Sequence, residues 1–88
     1  MLSRQLIAAR ALVGWNQSRL ASAAGVSIAT VKRLENSSGI VSGRHDTVVK
    51  IINALQSAGV QFIDADRSAG PGVRLAVWQL DLLQERID

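Results

Sequence analysis

The chain has 88 residues, with ten Lys or Arg, seven Asp or Glu and one His, which gives a formal net charge of +3. This length fits one domain, the absence of cysteine excludes a disulfide framework, and no apolar run approaches the ~20 residues of a transmembrane helix. Residues 1–50 hold seven Lys or Arg and two acidic residues, a net charge of +5. Residues 51–88 hold three Lys or Arg and five acidic residues, a net charge of −2. A basic half of this kind is typical of a module that binds a polyanion.

The first predicted helix runs from about Ser3 to Val13, and Ser3 is its predicted cap. Its buried stripe follows helical spacing and consists of Leu2, Leu6, Ala9 and Val13. Arg4 and Arg10 interrupt the apolar pattern, which does not suit a signal peptide. We therefore expect a protein of the reducing cytoplasm.

Residues 17–36, QSRLASAAGVSIATVKRLEN, predict two short helices joined by a tight turn. Asn16 and Ser27 can cap the two helices, and Gly25 falls where the chain leaving the first needs a positive φ. The apolar positions face inward only if the chain reverses near Gly25; they are Leu20, Ala24, Val26, Val31 and Leu34. This is the sequence pattern of a helix-turn-helix, whose second helix enters the DNA major groove.

The second of these helices, predicted from about Ile28 to Asn36, has an unusually apolar outer face. Ser27 and Lys32 can hydrogen-bond base edges or phosphate, whereas Ile28 and Ala29 can only pack on thymine methyl groups. The alternative for Ile28 is a place in the core. In the preceding helix Arg19 opposes the helix dipole, so it either points outward or meets a DNA phosphate.

The stretch resembles the Cro/cI-type (Xre) helix-turn-helix family of bacterial and phage repressors. The matching residues are Gln17, Leu20-Ala21, Ala24-Gly25-Val26-Ser27 and Arg33-Leu34-Glu35-Asn36. The resemblance extends from Leu2 to about Val60, and Val60–Ile63 with Gly70–Leu75 resembles the tail of a small subgroup of single-domain regulators. It implies a mainly α fold, in which a four-helix lambda-repressor-like domain precedes a short β-hairpin.

The same resemblance implies functional residues and a structural ion pair. Arg10 is expected to pair with Glu35, and a planar bidentate carboxylate suits a half-buried guanidinium. The loop 37–43, which Ile40 is expected to anchor, should follow the DNA backbone, with Ser38, Ser42 and Arg44 as phosphate contacts. The candidate DNA contacts are Gln17, Arg19, Ser27, Ile28, Ala29, Lys32, Arg33, Asn36, Ser38 and Arg44.

The rest of the chain predicts a fourth helix and a hairpin. The helix, from about Asp46 to Ala58 and capped by Gly59, is so apolar that it needs cover on more than one face. The strands are predicted at Val60–Ile63 and Val73–Trp78, and a short helix is possible within Gln79–Asp88. Trp15 is expected to plug the core rather than to bind a ligand.

We divide the chain into a DNA-binding domain, residues 1–59, and a hairpin and tail, residues 60–88, that dimerise. The expected interface residues are Val49, Ile52, Phe62, Val73, Leu75 and Val77. In the rival arrangement the hairpin packs on its own fourth helix, and dimers form elsewhere or only on DNA.

The sequence predicts a DNA-binding regulator at the bacterial nucleoid, a homodimer that represses from a palindromic operator. An antitoxin whose tail, Gln79–Asp88, binds a toxin is one alternative, and a protein-interaction adaptor that does not bind DNA is another. We expect no enzyme, cofactor or metal site, because the single histidine, His45, has no cysteine or second histidine beside it.

Overall fold

The computed structural model describes residues 1–37, 39, 41 and 43–80. The helices are α1 (Ser3–Leu12), α2 (Gln17–Ala24), α3 (Ile28–Glu35) and α4 (His45–Ser57), and the strands are β1 (Val60–Ile63) and β2 (Gly72–Leu75). The predicted fold class, mainly helical with a C-terminal hairpin, is confirmed. None of the helices in the described part of the chain combines the length and apolar character needed to cross a membrane.

The core lies where all four helices and the first strand meet. Its buried apolar side chains are Leu6 and Ala9, Leu20 and Ala21, Val31 and Leu34, Ile51 and Leu55, and Val60. Every helix thus contributes one stripe, as the helical spacing of the apolar residues predicts. Burial of these side chains fixes α2 and α3 relative to the rest of the domain.

Caps define where α1, α2 and α3 begin. Asn16 Oδ1 accepts a hydrogen bond from the Arg19 N–H at 2.7 Å, and Ser27 Oγ accepts one from the Thr30 N–H at 3.1 Å, so both predicted caps are confirmed. The predicted cap Ser3 is wrong, because Leu2 occupies the cap position and Ser3 is the first helical residue. The Ser3 hydroxyl donates instead to the Ser37 carbonyl at 2.9 Å.

Two predicted boundaries near the C-terminal end of α4 need correction. The α4 cap position is held by Ala58, and Gly59 follows with φ 107°. The second strand ends at Leu75 rather than at Trp78, because Leu75 pairs with Val60, the first residue of β1. Beyond it the Ala76 N–H donates to the Gly59 carbonyl at 2.7 Å, and residues 77–80 are helical.

The hairpin packs on its own chain, as the rival arrangement described above requires. Val60 is part of the core, and Phe62, Val73 and Leu75 pack against that core. The Gln5 amide donates to the Gly72 carbonyl at 3.1 Å and so joins α1 to β2. Residues 1–59 and the hairpin therefore share one core. The hairpin covers part of α4, whose Val49 stays exposed.

Several predictions concern residues outside the described part of the chain. They are the phosphate contacts Ser38 and Ser42, the anchor Ile40, and the toxin-binding arm beyond Leu80. The N-terminus holds the described residues of the loop after α3. The Val41 N–H donates to the Met1 carbonyl, and the Ser3 N–H donates to the Gly39 carbonyl, both at 2.8 Å.

Candidate nucleic-acid interface

The turn between α2 and α3 sets the direction of the second helix. Gly25 adopts a left-handed conformation with φ 71°, which a residue with a Cβ rarely adopts. The next N–H, of Val26, donates back to the Ala21 carbonyl at 3.0 Å and closes the end of α2. Ala21 is buried, and its small side chain allows α3 to pack closely on α2.

One face of α3 is exposed and the opposite face is buried. Val31 and Leu34 lie in the core, and the exposed residues recur at the spacing of a single helical face: Ile28, Ala29, Lys32, Arg33 and Asn36. Ile28 is 42% exposed, so its alternative place in the core is ruled out. The face presents two cations beside an apolar patch, and both features suit a DNA groove.

The hydroxyl of Ser27 is already engaged within the helix cap. Besides accepting from the Thr30 N–H, Ser27 Oγ lies 2.8 Å from the Thr30 hydroxyl oxygen. A base contact by Ser27 would compete with these two bonds. Ser27 therefore serves first as the cap of α3.

The end of α3 is held by a buried ion pair. Arg10 Nε donates to Glu35 Oε2 at 2.8 Å, and Arg10 Nη2 donates to Glu35 Oε1 at 3.0 Å. A third guanidinium nitrogen, Nη1, donates to the Trp15 carbonyl at 3.0 Å. Only 4% of the Glu35 side chain is exposed, so the two-point geometry satisfies a carboxylate that water barely reaches.

Gln17 extends this network to the start of α2. Its Nε2 donates to Glu35 Oε1 at 3.0 Å, so Glu35 joins α1, α2 and α3. The sequence predicts Gln17 as a DNA contact and does not predict this bond. The signal for this bond was that a buried Glu35 carboxylate can accept a further hydrogen bond after pairing with Arg10.

Arg19 and Trp15 form a second contact at the start of α2. The guanidinium carbon of Arg19 lies 5.6 Å from the centroid of the Trp15 ring, within the range of a cation–π interaction. Trp15 is half-buried and packs against the core, as expected of a plug. Stacking holds the Arg19 cation at the surface near the start of α2.

A helix-turn-helix family model matches residues 6–59, which is more than half of the chain. The chain belongs to the Cro/cI-type (Xre) helix-turn-helix family. A search among curated proteins finds no match to it. Membership shows that the protein is a DNA-binding transcriptional regulator. In helix-turn-helix proteins as a class, the second helix of the motif lies in the major groove.

The phosphate contact expected at Arg44 occupies the start of α4. Arg44 is the residue before the first helical turn, and its Nε lies 3.5 Å from Asp46 Oδ1. Because 84% of the Arg44 side chain is exposed, this surface pair leaves it free to turn toward a phosphate.

The expected dimer residues fall into two groups. Ile52, Phe62, Val73 and Leu75 are half-buried in their own chain, whereas Val49 and Val77 are exposed. Val77 lies in the helical turn after β2 rather than in a strand, and it is the most exposed large apolar residue described, at 73%. Within the described ranges no His, Asp and Glu side chains group as metal ligands.

Proposed function

We propose that this regulator binds a palindromic operator in a sequence-specific manner and represses transcription as a homodimer in the bacterial cytoplasm, at the nucleoid. The observation that carries the proposal is the exposed face of α3, with Lys32 and Arg33 presented by a helix that an ion pair fixes at its end. A rigid reading helix keeps its contacts in register with the base pairs.

Affinity and specificity would come from different residues. Arg19, Arg33 and Arg44 are exposed cations at the starts of α2 and α4 and on α3, and they would bind phosphates. Lys32 would donate to a base edge, while Ile28 and Ala29 would pack on thymine methyl groups. With so few hydrogen-bond donors on the face, we expect thymine positions to carry much of the discrimination.

Replacement of Lys32 or Arg19 by alanine tests this division. Lys32→Ala should cost about 1–3 kcal/mol of binding energy on the preferred site only, because a base contact is lost. Arg19→Ala should weaken all sequences alike and lower the salt slope by about one, because a phosphate contact is lost. Binding isotherms on preferred and random duplexes at several salt concentrations separate the two effects.

Arg67→Ala is the matched control, since it removes the same charge from the loop between β1 and β2, outside the helix-turn-helix segment. If the Lys32→Ala and Arg19→Ala variants bind both duplexes as tightly as the Arg67→Ala variant does, the proposed DNA contacts on α2 and α3 are wrong.

The homodimer proposal is supported by apolar side chains that the chain leaves uncovered near its hairpin. Val49, Ile63 and Val77 are exposed, and a two-stranded sheet has open edges that can pair with another copy. A two-fold dimer would place two reading helices about 34–36 Å apart on successive major grooves.

Val77→Glu should convert the dimer into a monomer, because it would place a carboxylate in an apolar interface. Light scattering gives the molar mass, and circular dichroism should remain unchanged. Leu12→Glu is the control, an equally drastic change at an exposed apolar residue of α1. A dimer that persists in Val77→Glu would remove Val77 from the interface, and a monomeric wild type on a palindromic site would refute dimerisation.

A further inference from the structure

A groove of ≈ 360 Å³ lies between α1 and β2. Arg4 and Ala8 line it on the side of α1, and Gly72 and Val73 line it on the side of β2. Arg4 is exposed and is the one charged residue among the described residues that line the groove. The α1–β2 groove is therefore mainly apolar with a single cation, and it is built outside the helix-turn-helix segment.

The backbone of β2 has unused hydrogen-bonding groups. The Ala76 N–H donates to the Gly59 carbonyl, so every second residue counted from these two exchanges hydrogen bonds across the antiparallel pair. Arg74 thus faces β1, whereas the N–H and C=O groups of Val73 and Leu75 point away from it. No described residue forms a hydrogen bond with those four groups. β2 therefore has an open edge that can accept another strand.

The open edge of β2 lies on the side of α1. α1 packs mainly against β2, whereas α4 packs against β1. The Gln5 amide fixes α1 to the Gly72 carbonyl at 3.1 Å. The edge therefore borders the α1–β2 groove, and a third strand added to β2 would lie over α1.

α1 presents an apolar stripe to solvent beside this groove. Arg4, Ala8, Ala11 and Leu12 are exposed and recur at the spacing of one helical face. A helix face that stays in water normally carries polar residues, but Arg4 is the only polar residue of this stripe. The stripe therefore offers apolar surface to the side chains of an added strand.

The charge of β2 distinguishes between two kinds of added strand. If the β2 strands of two copies paired Val73 with Leu75 in both directions, the two Arg74 side chains would lie directly opposite each other. Like charges in that position destabilise a sheet, whereas opposite charges stabilise it. Because neither β2 nor the described lining of the groove contains an acidic residue, a strand that carries carboxylates is the complementary one.

We propose that the edge of β2 binds an extended segment of a second protein in which apolar and acidic residues alternate. The segment would add an antiparallel third strand, the pairing that the hairpin already has and the more stable one per residue. Its apolar side chains would pack over Ala8 and Val73, and its carboxylates would lie beside Arg74. The proposal does not depend on DNA binding, since the proposed DNA contacts lie on other elements.

The probe is a short synthetic peptide in which valine alternates with glutamate, added to the 88-residue protein free of DNA. Hydrogen exchange followed by NMR should show that the peptide slows exchange of the Val73 and Leu75 amides. The Arg74 amide, which already faces β1, should change little. A peptide methylated on its valine nitrogens lacks the donors that face β2 and should not bind, whereas one methylated on its glutamate nitrogens should bind.

Reversal of one charge tests the acidic character of the partner. Arg74→Glu should weaken binding of the glutamate peptide about two- to fivefold, because a cross-strand pair of opposite charges becomes a pair of like charges. The same variant should bind a peptide of alternating valine and lysine more tightly than the wild type does. Arg67→Glu, the same change in the loop between β1 and β2, is the control and should leave both affinities unchanged.

Three results would overturn the proposal. The first is unchanged exchange of the Val73 and Leu75 amides at about 1 mM peptide, where even weak specific binding is detected. The second is equal binding of the glutamate and lysine peptides to the wild type. The third is slow exchange of the two amides without peptide, which would show that the edge is already occupied, by a second copy if protection rises with protein concentration. DNA binding is measured separately, so this proposal and the proposed function can fail independently.

Discussion

Arg10→Met should lower the free energy of unfolding by roughly 3–5 kcal/mol, because it leaves a buried carboxylate without its charged partner. Glu35 would keep only the hydrogen bond from Gln17, while water reaches 4% of its side chain. Glu35→Gln should cost a similar amount, since the new amide would face the donors of Arg10 and Gln17 with a donor of its own. Denaturant titration followed by circular dichroism measures both changes.

The double variant should cost less than the sum of the single ones, because it strands no charge. The control is Arg44→Met, which breaks a surface pair and should cost under about 1 kcal/mol, given that 84% of the Arg44 side chain and 62% of the Asp46 side chain are exposed. Additive energies for Arg10→Met and Glu35→Gln would mean that the pair does not stabilise the fold as a unit.

Truncation after Gly59 should leave the chain largely unfolded, although the family match ends at that residue. It removes Val60 from the core, together with Phe62, Val73 and Leu75, which pack against it. Burial of an apolar side chain contributes about 1.5–3 kcal/mol, so even partial burial of four amounts to at least about 4 kcal/mol. An 88-residue domain has only about 4–13 kcal/mol of stability in total.

Thermal unfolding followed by circular dichroism measures this loss. The matched control is truncation after Leu80, which keeps the hairpin and should retain the helical signal and a cooperative transition. A chain ending at Gly59 that unfolds cooperatively near the wild-type temperature would show that the hairpin is a separate unit. In that case its role would be assembly rather than completion of the core.

The helix-turn-helix could be predicted because its determinants are local. Asn16, Gly25 and Ser27 fix the ends of α2 and α3 through bonds that span three to five residues, and their positions in the sequence predict those bonds. The inward and outward faces of α3 follow from helical spacing alone. The Arg10–Glu35 pair was implied by resemblance, and the structure gives its two-point geometry.

Contacts between distant residues could not be predicted in the same way. Spacing does not show that Gln5 reaches Gly72, that Gln17 reaches Glu35, or that the Ser3 hydroxyl bonds the loop after α3 rather than capping α1. The last residue of β2 is set by the first residue of β1, because in this antiparallel pair Leu75 lies opposite Val60. Apolar and polar residues alternate over Val73–Trp78, and this pattern alone predicted a strand that extends past its last paired residue, Leu75.

Sequence-specific reading by α3 is tested most directly by selection of bound duplexes from random DNA with the 88-residue protein. We expect enrichment of one motif with two inverted half-sites, 10–10.5 base pairs apart or a multiple of that spacing, because a two-fold dimer places its reading helices one helical turn apart. Ile28→Gln should change the preference at a thymine position of each half-site. Bound DNA that shows no enriched motif, at a salt concentration where the protein still binds, would contradict sequence-specific reading by α3.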